Sequence, residues 1–221
     1  NTAIGTSSLA SNTTADDNTG CGATALYTNT SGSKNTAVGS QAMYYNETGA
    51  DNTGVGYDSL QDNTTGSNNT AIGAYSIDQN TTGSSNVAVG RSALGANTTA
   101  SHNTGVGYYA LLLNTTGDNN VAVGPQSLDA NTTGTQNIAV GRHALGANTT
   151  ASYNVGIGHE ALGVNTTGAK NVAVGRLTLV GNTSGSDNAA LGSKALEQNT
   201  TGTGNVAVGY ASLNNNTTAS N

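Results

Sequence analysis

Residues 86–102 read NVAVGRSALGANTTASH, and residues 103–119, directly after them, read NTGVGYYALLLNTTGDN. Laid one above the other, the two stretches share Asn, Val, Gly, Ala, Leu and Asn-Thr-Thr at the same places and differ elsewhere. The alignment extends in both directions without an insertion, so that thirteen units of seventeen residues account for all 221. A period of this kind has to be read before any secondary structure, because it decides the architecture. The unit is N-[TV]-[AG]-V-G-x-x-[AS]-L-x-x-N-T-T-[GA]-x-x, and its positions are called columns one to seventeen.

Some columns hardly change. Column one is Asn from Asn1 to Asn205, column five is Gly from Gly5 to Gly209, and column twelve is Asn from Asn12 to Asn216. Column four is aliphatic apart from Cys21, and column nine is Leu apart from Met43 and Ile77. Columns six, seven, ten, eleven, sixteen and seventeen vary, and they hold every Tyr and every charged side chain except Glu47. They are the solvent face.

Seventeen residues are too few for a two-helix repeat, and fixed Gly and Asn would break a helix. The unit reads as two short strands, columns one to five and roughly eight to eleven, with turns at column five and at N-T-T-G. Gly and Asn tolerate the left-handed backbone values that sharp corners need. Without insertions each column stacks on itself, and the strands pair in parallel about 4.8 Å apart. The expected fold is an all-β, parallel β-solenoid (β-roll) of thirteen coils, forming one repeat array over residues 1–221. Its boundaries at whole repeats suggest a stretch of a longer fibre.

Columns four and nine are expected to form a thin aliphatic seam, which would put Val123 in a dry core and make Cys21 a buried thiol. The Asn columns can form amide ladders. Column three is only Ala or Gly, so both faces of the first strand are sterically constrained. One face fills the coil; the other packs across a very narrow coil or on a neighbouring chain. The second option is favoured, with Ala122 facing the neighbour.

The segments Asn35 to Met43 and Asn86 to Leu94 resemble the head repeat of YadA-like trimeric autotransporter adhesins. With N-T-T-G included, the unit is also similar to repeats of phage tail-fibre and bacterial surface fibre proteins. The resemblance covers the whole chain. It implies a trimeric parallel β-roll carried on an elongated surface fibre. The unit here is about three residues longer than the usual adhesin head repeat, and residues 1–221 hold the repeat alone, so any stalk, anchor or chaperone domain is expected outside them.

Composition narrows the function. Net charge is −6 and charged residues make up 8%, which leaves no basic stripe for nucleic acid. No apolar run has membrane-spanning length. His102, His143 and His159 occupy three different columns, so no metal-ligand spacing exists. No fixed Ser–His pair or calcium-loop pattern appears, and neither an enzyme nor a cofactor is expected.

Two features remain. Tyr44, Tyr45, Tyr57, Tyr108, Tyr109 and Tyr210 lie in solvent columns and suit contact with a host-surface glycan or protein receptor. Each column-twelve Asn is followed two places on by Thr or Ser, so Asn12, Asn29, Asn46, Asn63, Asn80, Asn97, Asn114, Asn131, Asn148, Asn165, Asn182, Asn199 and Asn216 are candidate N-glycosylation sites. The competing reading of that column is an Asx or Ser/Thr turn. Together these observations describe an extracellular fibre segment, on a cell surface or virion, that is glycan-coated and self-associates as a trimer or filament. An ice-binding solenoid with Thr columns thirteen and fourteen is the alternative.

Overall fold

The computed structural model describes residues 1–220. It falls into two compact units, residues 1–116 and 117–221, each treated on its own. In the first unit the strands are β1 (Thr2–Ile4), β2 (Thr19–Cys21), β3 (Thr36–Val38), β4 (Thr53–Val55), β5 (Thr70–Ile72), β6 (Val87–Val89) and β7 (Thr104–Val106). The second carries β8 (Val121–Val123), β9 (Ile138–Val140), β10 (Val155–Ile157), β11 (Val172–Val174), β12 (Ala189–Leu191) and β13 (Val206–Val208). Within each unit every strand pairs in parallel with the next, and the register is always one repeat, as in Thr36↔Thr53 and Val155↔Val172. The fold is a parallel β-solenoid with one coil per repeat.

Each coil has one strand, columns two to four, and not two. Columns five to eleven form consecutive turns because columns seven and nine take left-handed backbone values, as at Gln41 (φ 59) and Met43 (φ 54). That alternation flips successive N–H groups. The Thr24 N–H donates back to the Thr6 carbonyl at 2.8 Å, whereas the Leu26 and Thr28 N–H groups donate forward to Ala42 and Tyr44 at 3.0 and 3.1 Å. The segment is therefore laddered to both neighbours without being extended.

The glycine corner falls at column five as expected, but the other positive-φ corners do not fall at N-T-T-G. Columns seven, nine and seventeen carry them, including Leu26, Leu94 and the β-branched Ile77 (φ 48). A left-handed non-Gly residue costs about 1–2 kcal/mol. Full burial of a Leu side chain returns about 1.5–3 kcal/mol, and every column-nine side chain from Leu26 to Leu196 is wholly buried. Burial outweighs the strain. Only column five needs glycine outright: φ is 139° at Gly39, and a Cβ there would lie 2.3 Å from the carbonyl oxygen of Gly56 in the next coil.

The strand faces are the reverse of the sequence expectation. Column three points into the coil: Ala37, Ala71, Ala88 and Ala139 are fully buried. It packs on column nine of the preceding coil, and at Gly54 the unbranched Met43 takes the room of the missing Cβ. A Cβ on Gly54 would lie 3.0 Å from Met43 Cγ. Column four points outward, with Val123 36%, Val38 38% and Leu191 52% exposed. The Leu column keeps its place in the core, but the column-four Val do not belong there, and Cys21 is half-buried. Ala122 fills a narrow coil and does not face a neighbouring chain.

Substituting Ala71→Leu should therefore overpack the coil and cost about 1–3 kcal/mol or more, lowering the melting temperature followed by circular dichroism. Val38→Thr, on the outer face, should stay within about 0.5 kcal/mol of the parent. Equal melting temperatures for the two variants would contradict this assignment of faces.

Candidate functional site

The column-twelve asparagines are structural. The eleven from Asn29 to Asn199 have no exposed surface. Their amides form a ladder: Asn46 Nδ2 donates to Asn29 Oδ1 at 2.8 Å, Asn63 to Asn46 at 2.7 Å and Asn80 to Asn63 at 2.7 Å. The second amide hydrogen goes to the column-fifteen carbonyl of the same coil, as from Asn46 to Gly49 at 3.0 Å. An N-linked sugar would have to replace one of these hydrogens inside the coil. The N-glycosylation reading therefore fails at these eleven positions, and only Asn12 and Asn216 are partly accessible.

Column one works with column twelve. Asn35 Nδ2 donates to the same Gly49 carbonyl at 2.8 Å, and Asn35 Oδ1 accepts the backbone N–H of Asn52 at 3.0 Å. The column-fifteen carbonyl is thus held by two amides, one from each end of the coil. The Asx-turn alternative does not describe this arrangement either, because the bonds run to the coil interior and along the array.

The tyrosines are gathered into clusters. Tyr27 and Tyr44, one repeat apart, stack with ring centroids 5.0 Å apart, and Tyr45 meets Tyr44 edge-on at 4.6 Å. Tyr57 and Tyr75 make an edge contact at 5.4 Å. Tyr108 and Tyr109 stack at 3.9 Å, with the Arg91 guanidinium 6.0 Å from the Tyr109 ring. Tyr210 stands in the last coil, 78% exposed. Every one of the six predicted contact residues is at least partly exposed, and five of them join an aromatic cluster.

Next to Tyr57 and Tyr75 lies an acidic group. Burial pushes the Asp58 and Asp62 carboxyls above the usual carboxylate range, and Asp58 lifts the Tyr57 phenol in turn. The Asp78 carboxyl is pushed up to about 6, first by burial and then by its neighbours Asp62 and Asp58. The Gln61 amide donates to Asp58 at 3.3 Å. In the second unit, glycines in column ten open a groove of about 400 Å³, where Gly146 and Gly163 lie between Asp129 and Val180, with His143 and Glu160 on its wall. Burial raises the Asp129 carboxyl, and the nearby His143 partly opposes this. Arg142 Nη1 lies 3.3 Å from His159 Nε2, whose ring is 3.6 Å from Glu160. Among the described residues no group of His, Cys, Asp and Glu could hold a metal ion, and no helix is long and apolar enough to cross a membrane.

One surface feature was not anticipated. Columns two and four line the outer face of the sheet. In the second unit they are Val121, Val123, Ile138, Val140, Val155, Ile157, Val172, Val174, Ala189, Leu191, Val206 and Val208, with no polar side chain among them. In the first unit column two is Thr in six coils, Val87 being the exception. A shallow groove of about 240 Å³ opens over Ala189, between Val172 and Val206. The sequence carries a trace of this: column three, confined to Ala and Gly, marks a crowded side, but that fits the coil interior and a neighbouring chain equally well.

Asp78 supplies a pH dependence. Its folded pKa, about 6, lies above the ordinary value near 3.9, so the folded chain holds the proton more tightly than the unfolded one. The associated stability is present at acid pH and is lost as pH rises through about 6. For this half-buried group the effect, after discounting for solvent, is about 1–2 kcal/mol. Asp78→Asn should therefore be more stable than the parent at pH 7 by about that amount, with the gap closing near pH 4 in urea titrations. No protein-family model, curated protein or solved structure matches the chain.

Proposed function

We propose that the chain is a rigid segment of an extracellular surface fibre, structural and adhesive, whose copies associate side by side through the outer face of the sheet. The observation that carries this is the unbroken aliphatic surface of columns two and four in the second unit, where Ile138, Ile157 and Val172, all in interior coils, are 40%, 38% and 42% exposed. Contiguous exposed apolar surface of this kind marks an interaction site. A face built of coils in one register presents its aliphatic rows at one spacing, which a second copy can match in a self-complementary contact. The resemblance to the head repeats of trimeric adhesins agrees with a closed bundle of three. The tyrosine clusters supply contact surface for a receptor, because each ring offers a flat apolar face and a hydroxyl.

Sedimentation of the purified chain tests the association. The parent should sediment as an oligomer. Ile138→Lys with Val172→Lys, two charges placed on the exposed face, should release monomers while circular dichroism stays unchanged. A parent that sediments as a monomer, or an oligomer indifferent to the two lysines, would exclude this face as the contact.

A further inference from the structure

Column fourteen is Thr in eleven coils and Ser in two, Ser31 and Ser184. It is exposed in every coil. Other exposed columns vary: column seventeen, exposed in every coil from Asp17 to Asp187, holds Asp, Lys, Asn, Ser, His, Gln and Tyr. Column fourteen, by contrast, holds one chemical group throughout. That group is the hydroxyl and not the branched shape. In column two Thr exchanges freely with Val and Ile, whereas column fourteen exchanges Thr only for Ser.

The fold does not explain the choice. Column-thirteen hydroxyls are used internally: Thr64 Oγ1 donates to the Thr81 carbonyl at 2.9 Å, and Thr81 Oγ1 to the Thr98 carbonyl at 3.1 Å. Column-sixteen serines are used too, since Ser84 Oγ accepts the Ser67 N–H at 3.1 Å. Among the described residues, no column-fourteen hydroxyl hydrogen-bonds to any part of the chain. The surroundings form a second, independent observation. Apart from Glu47, no residue of columns thirteen to sixteen is larger than Thr or Asp. Within each unit this makes a strip of small side chains, charged only at Asp16, Glu47 and Asp118. Exposed side chains of column seventeen border it, among them Lys34, His102, Tyr153 and Lys170.

We propose that this strip binds a neutral polysaccharide chain lying along the coil axis, with the column-fourteen hydroxyls bonding its sugar hydroxyls. The proposal rests on the adhesive reading above and names its ligand class. A row that repeats one polar contact per coil is matched by a ligand that also repeats, and a folded protein surface does not. Nucleic acid repeats, but it is anionic, and the chain already carries −6. Ice repeats too, but a crystal front needs a broad plane, and this strip is bordered by long side chains.

The test uses the purified chain with insoluble cellulose, insoluble chitin and a soluble neutral glucan. The parent should be retained by at least one of them. Thr48, Thr65, Thr82 and Thr99 changed together to Val, which keeps shape and removes hydroxyls, should weaken retention about tenfold or more, given about 1 kcal/mol per lost hydrogen bond. The same four changed to Ser should bind like the parent, and circular dichroism of both variants checks folding. Retention by none of the three, or equal retention of the Val variant, would overturn the proposal. So would freezing-point depression by the parent that the Val variant loses, which would assign the row to ice. Sedimentation of the same samples reports self-association separately, so the two readings can fail independently.

Discussion

The coils close on a backbone carbonyl that accepts two asparagine amides. In the third coil this is the carbonyl of Gly49, held by Asn35 from the start of the coil and by Asn46 from its far corner. Both asparagines are buried, so each must have its donors and acceptor satisfied or cost about 1–3 kcal/mol per orphaned group. They are satisfied by passing bonds along the array, Asn46 to Asn29 and the Asn52 backbone to Asn35. Aspartate could not replace them, because it has no hydrogen to donate. The bond from column twelve to column fifteen also decides what lies between. It pins the two ends of a three-residue step to the interior and throws columns thirteen and fourteen outward.

Stacking without insertion follows from the same geometry. A ladder in which each amide contacts the one above tolerates no slip, and column-five glycine tightens the constraint. The carbonyl of Gly56 occupies the space in which Gly39 would hold a Cβ. The remaining corners are under less control, and there the chain accepts strain. Thr, Gln, Tyr, His and Lys all sit left-handed in column seven. Their side chains face solvent, and their backbone hydrogen bonds hold the conformation regardless of identity. In column nine the strain is shared by Leu at every coil but two and is offset by burial in the core.

The period, the glycine corner, the stacked asparagines and the buried leucines were legible because each is a fixed chemical type at a fixed interval. The faces of the strand were not. Alternation separates column three from columns two and four but does not say which side is inside. An aliphatic column four looks like core, and small residues in column three look like a close contact with another chain. Magnitude resolves this: a coil whose interior already holds Leu26 or Leu94 has room only for Ala or Gly opposite, as the 3.0 Å approach of Met43 to the missing Cβ of Gly54 shows. The second strand failed for a related reason. The variable columns reveal exposure, but nothing in Gln41 or Met43 announces a left-handed backbone. The sequon misled because the Asn and the hydroxyl of one motif serve opposite sides of the chain.

In a repeat array, a function borne by an invariant column is spread over every coil, and one borne by variable columns is local. The two units differ in this respect. Seven of the nine tyrosines fall in residues 1–116, and the aromatic pairs with them, while column two of the sheet face there is Thr in six coils of seven. In residues 117–221 the tyrosines thin to Tyr153 and Tyr210, the sheet face becomes wholly aliphatic, and glycines cut a groove beside Asp129. Since each coil closes through the same buried amides, these exchanges cost the fold little. Thr for Val on an outer face changes neither the ladder nor the core. Sequence drift in columns two, six, seven, ten and eleven is therefore free to assign association to one stretch of coils and contact to another. The column-fourteen hydroxyl, equally exposed and equally free, has not drifted in either.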